Sequence, residues 1–309
     1  MRRSALVAAV GALLVLAGCG DREPVLVGRP DGPYRLTLSI EPPAPLPAVP
    51  ATLTYRLTDT ASSQPIRDLQ VLHERRIHTF IVARDFSSFA HIHHEDFAPI
   101  LPTELAAGTL HFPYAFPSAG DYRIVSEFTR RDRSWIKQFD LTVGTAAPVR
   151  AKSELRLEAK DGPYLGILAM SPAQPVAGYD AELVLKVTRD ATAVRDLALL
   201  LGAEVHVALW REDGGQFGHT HSFTPEMAMM MRHGQHSAAM MLQMMSAPAK
   251  LRYPGPQVPV RYRFSTPGTY HVFMQCAPGG GPRVFHFAFE VLADVPGVDT
   301  TLHSIVPFE

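Results

Sequence analysis

Short runs of alternating apolar and polar residues dominate the chain, and clusters of proline, glycine and aspartate separate them. Leu36, Leu38 and Ile40 show the two-residue period of a strand that buries one face. Each half of the chain contains about seven such runs, and helical periodicity is confined to residues 226–245. The pattern predicts an all-β protein.

Two blocks of sequence recur along the chain. The tetrapeptide Asp-Gly-Pro-Tyr at 31–34 reappears at 161–164, and the block from His78 to His93 aligns without a gap with the block from His206 to His221. Both recurrences have a period of about 130 residues, which indicates duplicated domains rather than a solenoid.

A third block recurs at a longer spacing. Residues 117–122 end in Gly-Asp-Tyr and match residues 265–270, which end in Gly-Thr-Tyr. The second copy therefore carries an insertion of about 20 residues. A Gly-x-Tyr before a strand resembles the tyrosine corner of immunoglobulin-like sandwiches. We expect two tandem immunoglobulin-like or cupredoxin-like β-sandwiches, with a methionine-rich insertion of helical period in the second.

Alanine and proline interrupt the strand pattern between Thr145 and Ser153, where we place the linker. The predicted parts are a lipoprotein signal peptide at 1–18, a lipid-anchored tether at 19–30, sandwiches at 31–145 and 153–294 with the insertion at 226–245, and a tail at 295–309.

The N-terminus has the pattern of an export signal. Met1-Arg2-Arg3 is basic, and residues 5–17 are apolar but too few to span a bilayer. The run ends in Leu-Ala-Gly before Cys19, which resembles the lipobox of bacterial lipoproteins and predicts a lipid on Cys19. An ordinary signal peptide with a chance cysteine is the alternative. Because Gly20 is not the aspartate associated with inner-membrane retention, we expect a periplasm-facing protein on the outer membrane rather than the inner one.

Composition narrows the chemistry. Cleavage would remove Arg2 and Arg3 and leave a net charge of about −3, which argues against nucleic acid as a partner. Acylation of Cys19 would leave Cys276 as the one remaining thiol, so no disulfide can form within the chain. We expect Cys276 to be a buried structural thiol.

Six histidines are predicted to converge in two groups of three. Asp213-Gly214 is a strong hairpin signal, and pairing outward from this turn sets His206 opposite His221 with His219 on the same face. Three imidazoles in this arrangement suit Cu(II) or Zn(II). The alternate residues of the strand are more apolar, so the histidines are expected on the outer face of the sandwich.

The first copy aligns in the same register and is expected to bring together His78, His91 and His93. Asp85-Phe86 is a poorer turn, and a three-residue loop there would break the convergence. On a neighbouring strand of the second copy, His271 is predicted to face outward and to supply a fourth ligand. The alternative is that all of these are strand histidines hydrogen-bonded to their neighbours.

The insertion is a further candidate site, for a soft metal ion. Its candidate ligands are Met227, Met229, Met230, Met231, His233, His236, Met240, Met241, Met244 and Met245. Thioethers favour Cu(I), so clustered methionine and histidine suggest copper handling. The alternative is an amphipathic helix whose methionine stripe packs or binds a protein.

Motifs of the common enzyme classes are absent from the sequence: there is no nucleophile elbow, phosphate loop or zinc-protease motif. Cys276 and His271 would fall on opposite faces of one strand, which excludes them as a catalytic dyad. We therefore expect no enzymatic activity.

Three short motifs invite a family comparison. His-Thr-Phe-Ile-Val-Ala-Arg-Asp at 78–85, Phe-Ala-His-Ile-His at 89–93 and Gly-Asp-Tyr-Arg at 120–123 resemble the YtkA-like family of exported immunoglobulin-like domains. The resemblance implies that fold, an association with copper handling and a ligand role for the three histidines of the first copy. The proline that usually follows the second histidine is replaced by His94 and Ser222.

These observations predict a lipid-anchored periplasmic metal-binding protein that serves copper buffering, resistance or delivery, with zinc as the alternative ion. The expected partners are the membrane, through the lipid, and a metal transporter or another envelope protein. The second hypothesis is a non-catalytic envelope adaptor whose insertion is a protein-binding surface.

Overall fold

The computed structural model describes residues 25–27, 32–145, 153–222 and 250–306. These residues form two tandem domains of antiparallel β-sheet, which confirms the predicted fold class. The insertion at 226–245 and the predicted anchor at Cys19 lie outside the described residues.

The first sandwich consists of two four-stranded sheets, in the orders β1-β2-β3-β6 and β5-β4-β7-β8. Its strands are β1 (Val25–Val27), β2 (Tyr34–Glu41), β3 (Pro50–Asp59), β4 (Ile77–Ala83), β5 (Phe89–Ile92), β6 (Thr109–Ala115), β7 (Gly120–Arg130) and β8 (Arg133–Val143). A 3₁₀ turn (His94–Asp96) and the short helix α1 (Pro102–Ala107) connect β5 to β6. Alternate residues of β2 and β3 point into the core, as their two-residue period predicts.

The second sandwich repeats this plan. One sheet has the order β9-β10-β11-β12 with β16 also paired to β11, and the other has β15-β14-β17-β18 with β13 paired to the end of β17. Its strands are β9 (Glu158–Asp161), β10 (Tyr164–Ser171), β11 (Asp180–Arg189), β12 (Thr192–Ala193), β13 (Leu197–Ala198), β14 (His206–Arg211), β15 (Phe217–His221), β16 (Gln257–Arg263), β17 (Gly268–Pro278) and β18 (Arg283–Val291).

Both domains contain the tyrosine corner that the Gly-x-Tyr motifs predict. Tyr122 donates its hydroxyl hydrogen bond to the backbone oxygen of Ser118 at 2.9 Å, and Tyr270 does the same to Thr266 at 2.9 Å. Each tyrosine lies near the start of a long central strand, β7 or β17, and is buried. These bonds tie the loop before the strand to the core of its own sandwich.

The two sandwiches pack face to face, through the sheets that carry β4 and β14. A buried apolar cluster separate from the two domain cores fills the contact: Phe80, Val82, Phe86, Val125, Ala208, Trp210 and Phe273. Phe89 of the first domain stacks on Phe273 of the second, with ring centroids 4.5 Å apart. In each of these two sheets, the face that points away from the core of its own sandwich is therefore covered by the other domain and does not face solvent.

Candidate metal centre

The predicted register of both histidine hairpins is confirmed. Strands β14 and β15 pair His206 with His221 and set Ala208 opposite His219, and β4 and β5 pair Phe80 with His91. The first hairpin keeps this register although its turn lacks glycine, because Phe86 adopts a left-handed φ of 57°. It occupies the position that Gly214 takes, with φ of 74°, in the second hairpin.

The first triad, defined as His78, His91 and His93, brings three ring nitrogens to one point. Nδ1 of His78 lies 3.1 Å from Nε2 of His91 and 3.0 Å from Nε2 of His93, and the two Nε2 atoms are 3.1 Å apart. His78 and His93 are almost completely buried, and His91 is half-buried. The three atoms form a nearly equilateral triangle whose edges match the spacing of ligands around one ion.

Metal coordination geometry brackets these distances. With metal–nitrogen bonds of about 2.0–2.1 Å, neighbouring ligand nitrogens lie about 2.9 Å apart at a right angle and about 3.3 Å apart at the tetrahedral angle. The observed values of 3.0 and 3.1 Å fall between the two. The triad therefore suits either the tetragonal geometry of Cu(II) or the tetrahedral geometry of Zn(II).

Hydrogen bonds on the far side of each ring orient the first triad. Nε2 of His78 donates to the backbone oxygen of Leu72 at 3.0 Å, and Nδ1 of His93 donates to the carboxylate of Asp96 at 2.8 Å. Because both acceptors lack hydrogens, the outer nitrogen of each neutral ring carries the proton and the inner nitrogen carries a lone pair. These outer hydrogen bonds fix the tautomer of each ring, as they do for histidines that bind metals.

The outer partners of the middle histidines come from the opposite domain. Nδ1 of His91 lies 2.9 Å from Oε1 of Gln275 on β17, and Nδ1 of His219 lies 2.6 Å from a carboxylate oxygen of Glu127 on β7. Within its own sheet, Glu127 pairs with His78, and Gln275 pairs with His206. Glu127 and Gln275 therefore occupy equivalent positions in the two copies. Each triad is therefore completed by a residue of the other domain.

The second triad, defined as His206, His219 and His221, repeats this arrangement. Nε2 of His206 donates to the backbone oxygen of Leu200 at 2.6 Å, as His78 does to the equivalent leucine. Nδ1 of His206 and the Nε2 atoms of His219 and His221 are buried and find no hydrogen-bond partner among the described residues. They are the same three ring positions that converge in the first triad. One nitrogen from each of the three rings lies within 4.8 Å of the other two.

Burial keeps most of these imidazoles neutral. Loss of water first, and then repulsion from neighbouring histidines, hold the pKa values well below the usual 6.5 for His78, His91, His206 and His221. Burial also lowers the pKa of His93, although its bond to Asp96 opposes the shift. Neutral imidazole is the form that binds a metal ion.

His73 is a seventh histidine of this cluster, and aligning the two copies of the sequence did not reveal it. Its ring lies 3.8 Å from that of His221 and 5.6 Å from that of His206, between centroids, so a residue of the first domain covers the second triad. It occupies a tight turn with φ of 46°, and Leu201 takes the equivalent place with φ of 49°. Because that copy has leucine, matching the copies could not detect His73.

The prediction that His271 supplies a fourth ligand is wrong. The strand register sets His271 opposite Trp210 rather than beside His206, and the histidine groups with converging ligand atoms do not include it. Its ring stacks on Phe86 of the first domain with centroids 3.6 Å apart, and its Nδ1 lies 2.9 Å from Nε2 of His286. His271 therefore contributes to the contact between the domains.

The other sequence candidates have separate outcomes. Cys276 is buried and free, and burial raises the pKa of its thiol to about 12, which fits the predicted structural role. The predicted ligands of the insertion, between Met227 and Met245, lie outside the described residues, as does Cys19. Their roles as soft-metal ligands and as a lipid anchor stay predictions.

Several solved structures show a distant likeness to the chain. Latent PorU from Porphyromonas gingivalis matches with 10% identity and a TM-score of 0.22 over 88% of this chain and 20% of that chain. A putative membrane anchored protein from Corynebacterium diphtheriae has 12% identity and a TM-score of 0.22, covering 88% of this chain and 62% of that one. Alpha-2-macroglobulin from Escherichia coli has 11% identity and a TM-score of 0.22, covering 86% and 24%. This chain spans about a fifth of PorU.

No curated protein matches the chain. Among the described residues, no helix is long and apolar enough to cross a membrane. The model of one protein family matches twice, at residues 28–145 and 166–293, once in each sandwich. The chain therefore belongs to the family described as a domain of unknown function, DUF8832, and carries two copies of that domain.

Proposed function

We propose that the protein binds transition-metal ions, copper in the first place, at the two histidine triads between its domains. The observation that carries this proposal is the convergence of three imidazole nitrogens at 3.0 to 3.1 Å in the first triad. The outer nitrogens of His78 and His93 are committed to a carbonyl and a carboxylate. The inner nitrogens of these two rings are therefore acceptors that face each other, and a bound cation would hold them together.

A purely structural role for these histidines fits the contacts less well. Buried histidines that only support a fold are normally hydrogen-bonded through both ring nitrogens. In the second triad the outer nitrogens of His206 and His219 have partners, whereas their inner nitrogens have none among the described residues. The Nε2 atom of His221 has none either. Burying such atoms without a partner costs about 1–3 kcal/mol each, and coordination to one ion would satisfy all three.

Copper is the proposed ion because imidazole sites bind divalent copper more tightly than the other first-row divalent ions, zinc included. Three imidazoles leave further coordination positions for an exchanging ligand, as buffering or delivery of the ion requires. A location in the periplasm, anchored through Cys19, belongs to the same proposal. The adaptor hypothesis receives no support from the histidine faces, since each domain covers the face of the other.

Metal content and titration of residues 20–309 test the proposal. We expect about two ions of Cu(II) per chain, one for each triad, and about one after replacement of His206, His219 and His221 by alanine. His303→Ala is the matched control, because His303 is exposed and lies outside both triads. A copper content that the triad replacement leaves unchanged would refute the proposal. Deletion of 226–245 separates any ions held by the insertion.

A further inference from the structure

We propose that the two triads form one dinuclear centre, in which each ion weakens the binding of the other and the two spins couple; this inference rests on metal binding by both triads. Rings of opposite domains are as close as rings of one triad. The centroids of His78 and His219 are 5.5 Å apart and those of His91 and His206 are 5.7 Å apart. Within the triads the spacing runs from 4.6 to 6.0 Å. The six rings are one continuous cluster across the domain contact.

Ring spacing sets an upper limit on the distance between the ions. An ion bound to an imidazole nitrogen at about 2.0–2.1 Å lies about 3.2 Å from the ring centroid. The rings of His78 and His219 belong to different triads and are 5.5 Å apart. The two ions therefore lie within about 12 Å of each other.

Two divalent ions at this limit repel each other appreciably. Coulomb's law with the full dielectric constant of water gives about a tenfold weakening of the second binding step at low ionic strength. The centre is buried, so its effective dielectric constant is lower and the repulsion is larger. Glu127 and Asp96 bring carboxylates to His219 and His93. They favour each ion without removing the repulsion between the two.

A thermodynamic cycle with Cu(II) as the probe measures this coupling. The double variant His78→Ala/His93→Ala leaves the second triad, and His206→Ala/His221→Ala leaves the first, so each variant reports one intrinsic dissociation constant. In the unaltered chain, the product of the two stepwise constants should exceed the product of the intrinsic constants by about tenfold or more. Equal products would overturn the dinuclear centre while metal binding by the triads stands.

Electron paramagnetic resonance of the unaltered chain tests the same inference without a substitution that could impair folding. Chains loaded with two Cu(II) ions should show dipolar broadening and a half-field transition, and both should weaken in chains loaded with a mixture of Cu(II) and Zn(II). Two superimposed spectra of isolated Cu(II), with a dipolar distance beyond the limit of about 12 Å, would overturn the inference. Failure to bind Cu(II) at all would instead overturn the proposed function, and the dinuclear centre with it.

Discussion

Glu127 and Gln275 contact the outer nitrogens of His219 and His91, and only Glu127 is an acidic residue. Removing the charge from the first and adding one at the second should shift the copper affinities of the two triads in opposite directions. Glu127 accepts a hydrogen bond from His219 at 2.6 Å, and Gln275 occupies the equivalent position beside His91 at 2.9 Å. Glu127→Gln keeps an acceptor oxygen but removes the charge, and Gln275→Glu adds a charge. The duplication thus supplies a matched pair of perturbations within one chain.

The expected magnitude follows from the difference between the two kinds of hydrogen bond. A bond to a charged group is worth about 1.5–3 kcal/mol, and a neutral one about 0.5–1.5 kcal/mol. The difference of about 1–1.5 kcal/mol corresponds to about a tenfold change in affinity. Glu127 is largely buried, so little of this difference is lost to solvent. Glu127→Gln should weaken the second triad about tenfold, and Gln275→Glu should strengthen the first by a similar factor.

Competition against a chromophoric copper chelator resolves the two dissociation constants at a pH near 7.5. Each variant is measured with the stoichiometry fixed by metal analysis, and thermal unfolding of the metal-free form checks that the fold is intact. The reasoning is refuted if both variants lose affinity equally, since that result indicates general damage to the packing. An unchanged affinity in both would show that neither side chain acts on the ligand opposite it.

Three further predictions concern stability. The triad histidines with strongly lowered pKa values take up protons on unfolding below pH 6.5. The unfolding free energy of the metal-free protein should therefore fall as the pH decreases, by about 1.4 kcal/mol per pH unit for each histidine. Urea titrations at several pH values check this, and a flat profile contradicts it. Tyr270→Phe removes the bond to Thr266 and should lower the free energy of unfolding by about 1 kcal/mol, measured by chemical denaturation. An unchanged free energy of unfolding would contradict a role for the tyrosine corner. Trp210→Ala empties the buried contact between the domains and should cost about 3–5 kcal/mol, whereas a change below 1 kcal/mol, far under that range, would show that the contact is weak.

Much of the fold and the shape of each triad could be predicted from the sequence, because local rules determine them. The period of two places alternate residues on opposite faces of a strand, and the short loop at Asp213-Gly214 sets the register of its hairpin. The pairing of His206 with His221 follows from these rules alone. The first hairpin was harder to predict, because Phe86 adopts a backbone conformation that its residue type disfavours.

The contact between the domains could not be derived from strand periodicity. Hairpin rules say which side chains share a face, but not which other domain covers that face. One signal was available: β4 is buried along its whole length, and its sequence is apolar on both faces, as in strands that are covered on both sides. The error over His271 has a similar cause. It lies on the predicted face but at the level of Trp210, about 13 Å along the strand from His206.

Because the triads lie at the domain contact, the proposed metal binding would be linked to the packing of the domains. His91 and His219 each rely on an acceptor in the opposite domain, and His73 covers the second triad from the first domain. If the closed arrangement raises the affinity for an ion, the bound ion must stabilise that arrangement by the same free energy. The apolar cluster of Phe80 and Trp210 adjoins these rings, because Phe80 lies against His219 with centroids 4.7 Å apart. The duplication thereby supplies each proposed site with a hydrogen-bond acceptor that a single copy would lack.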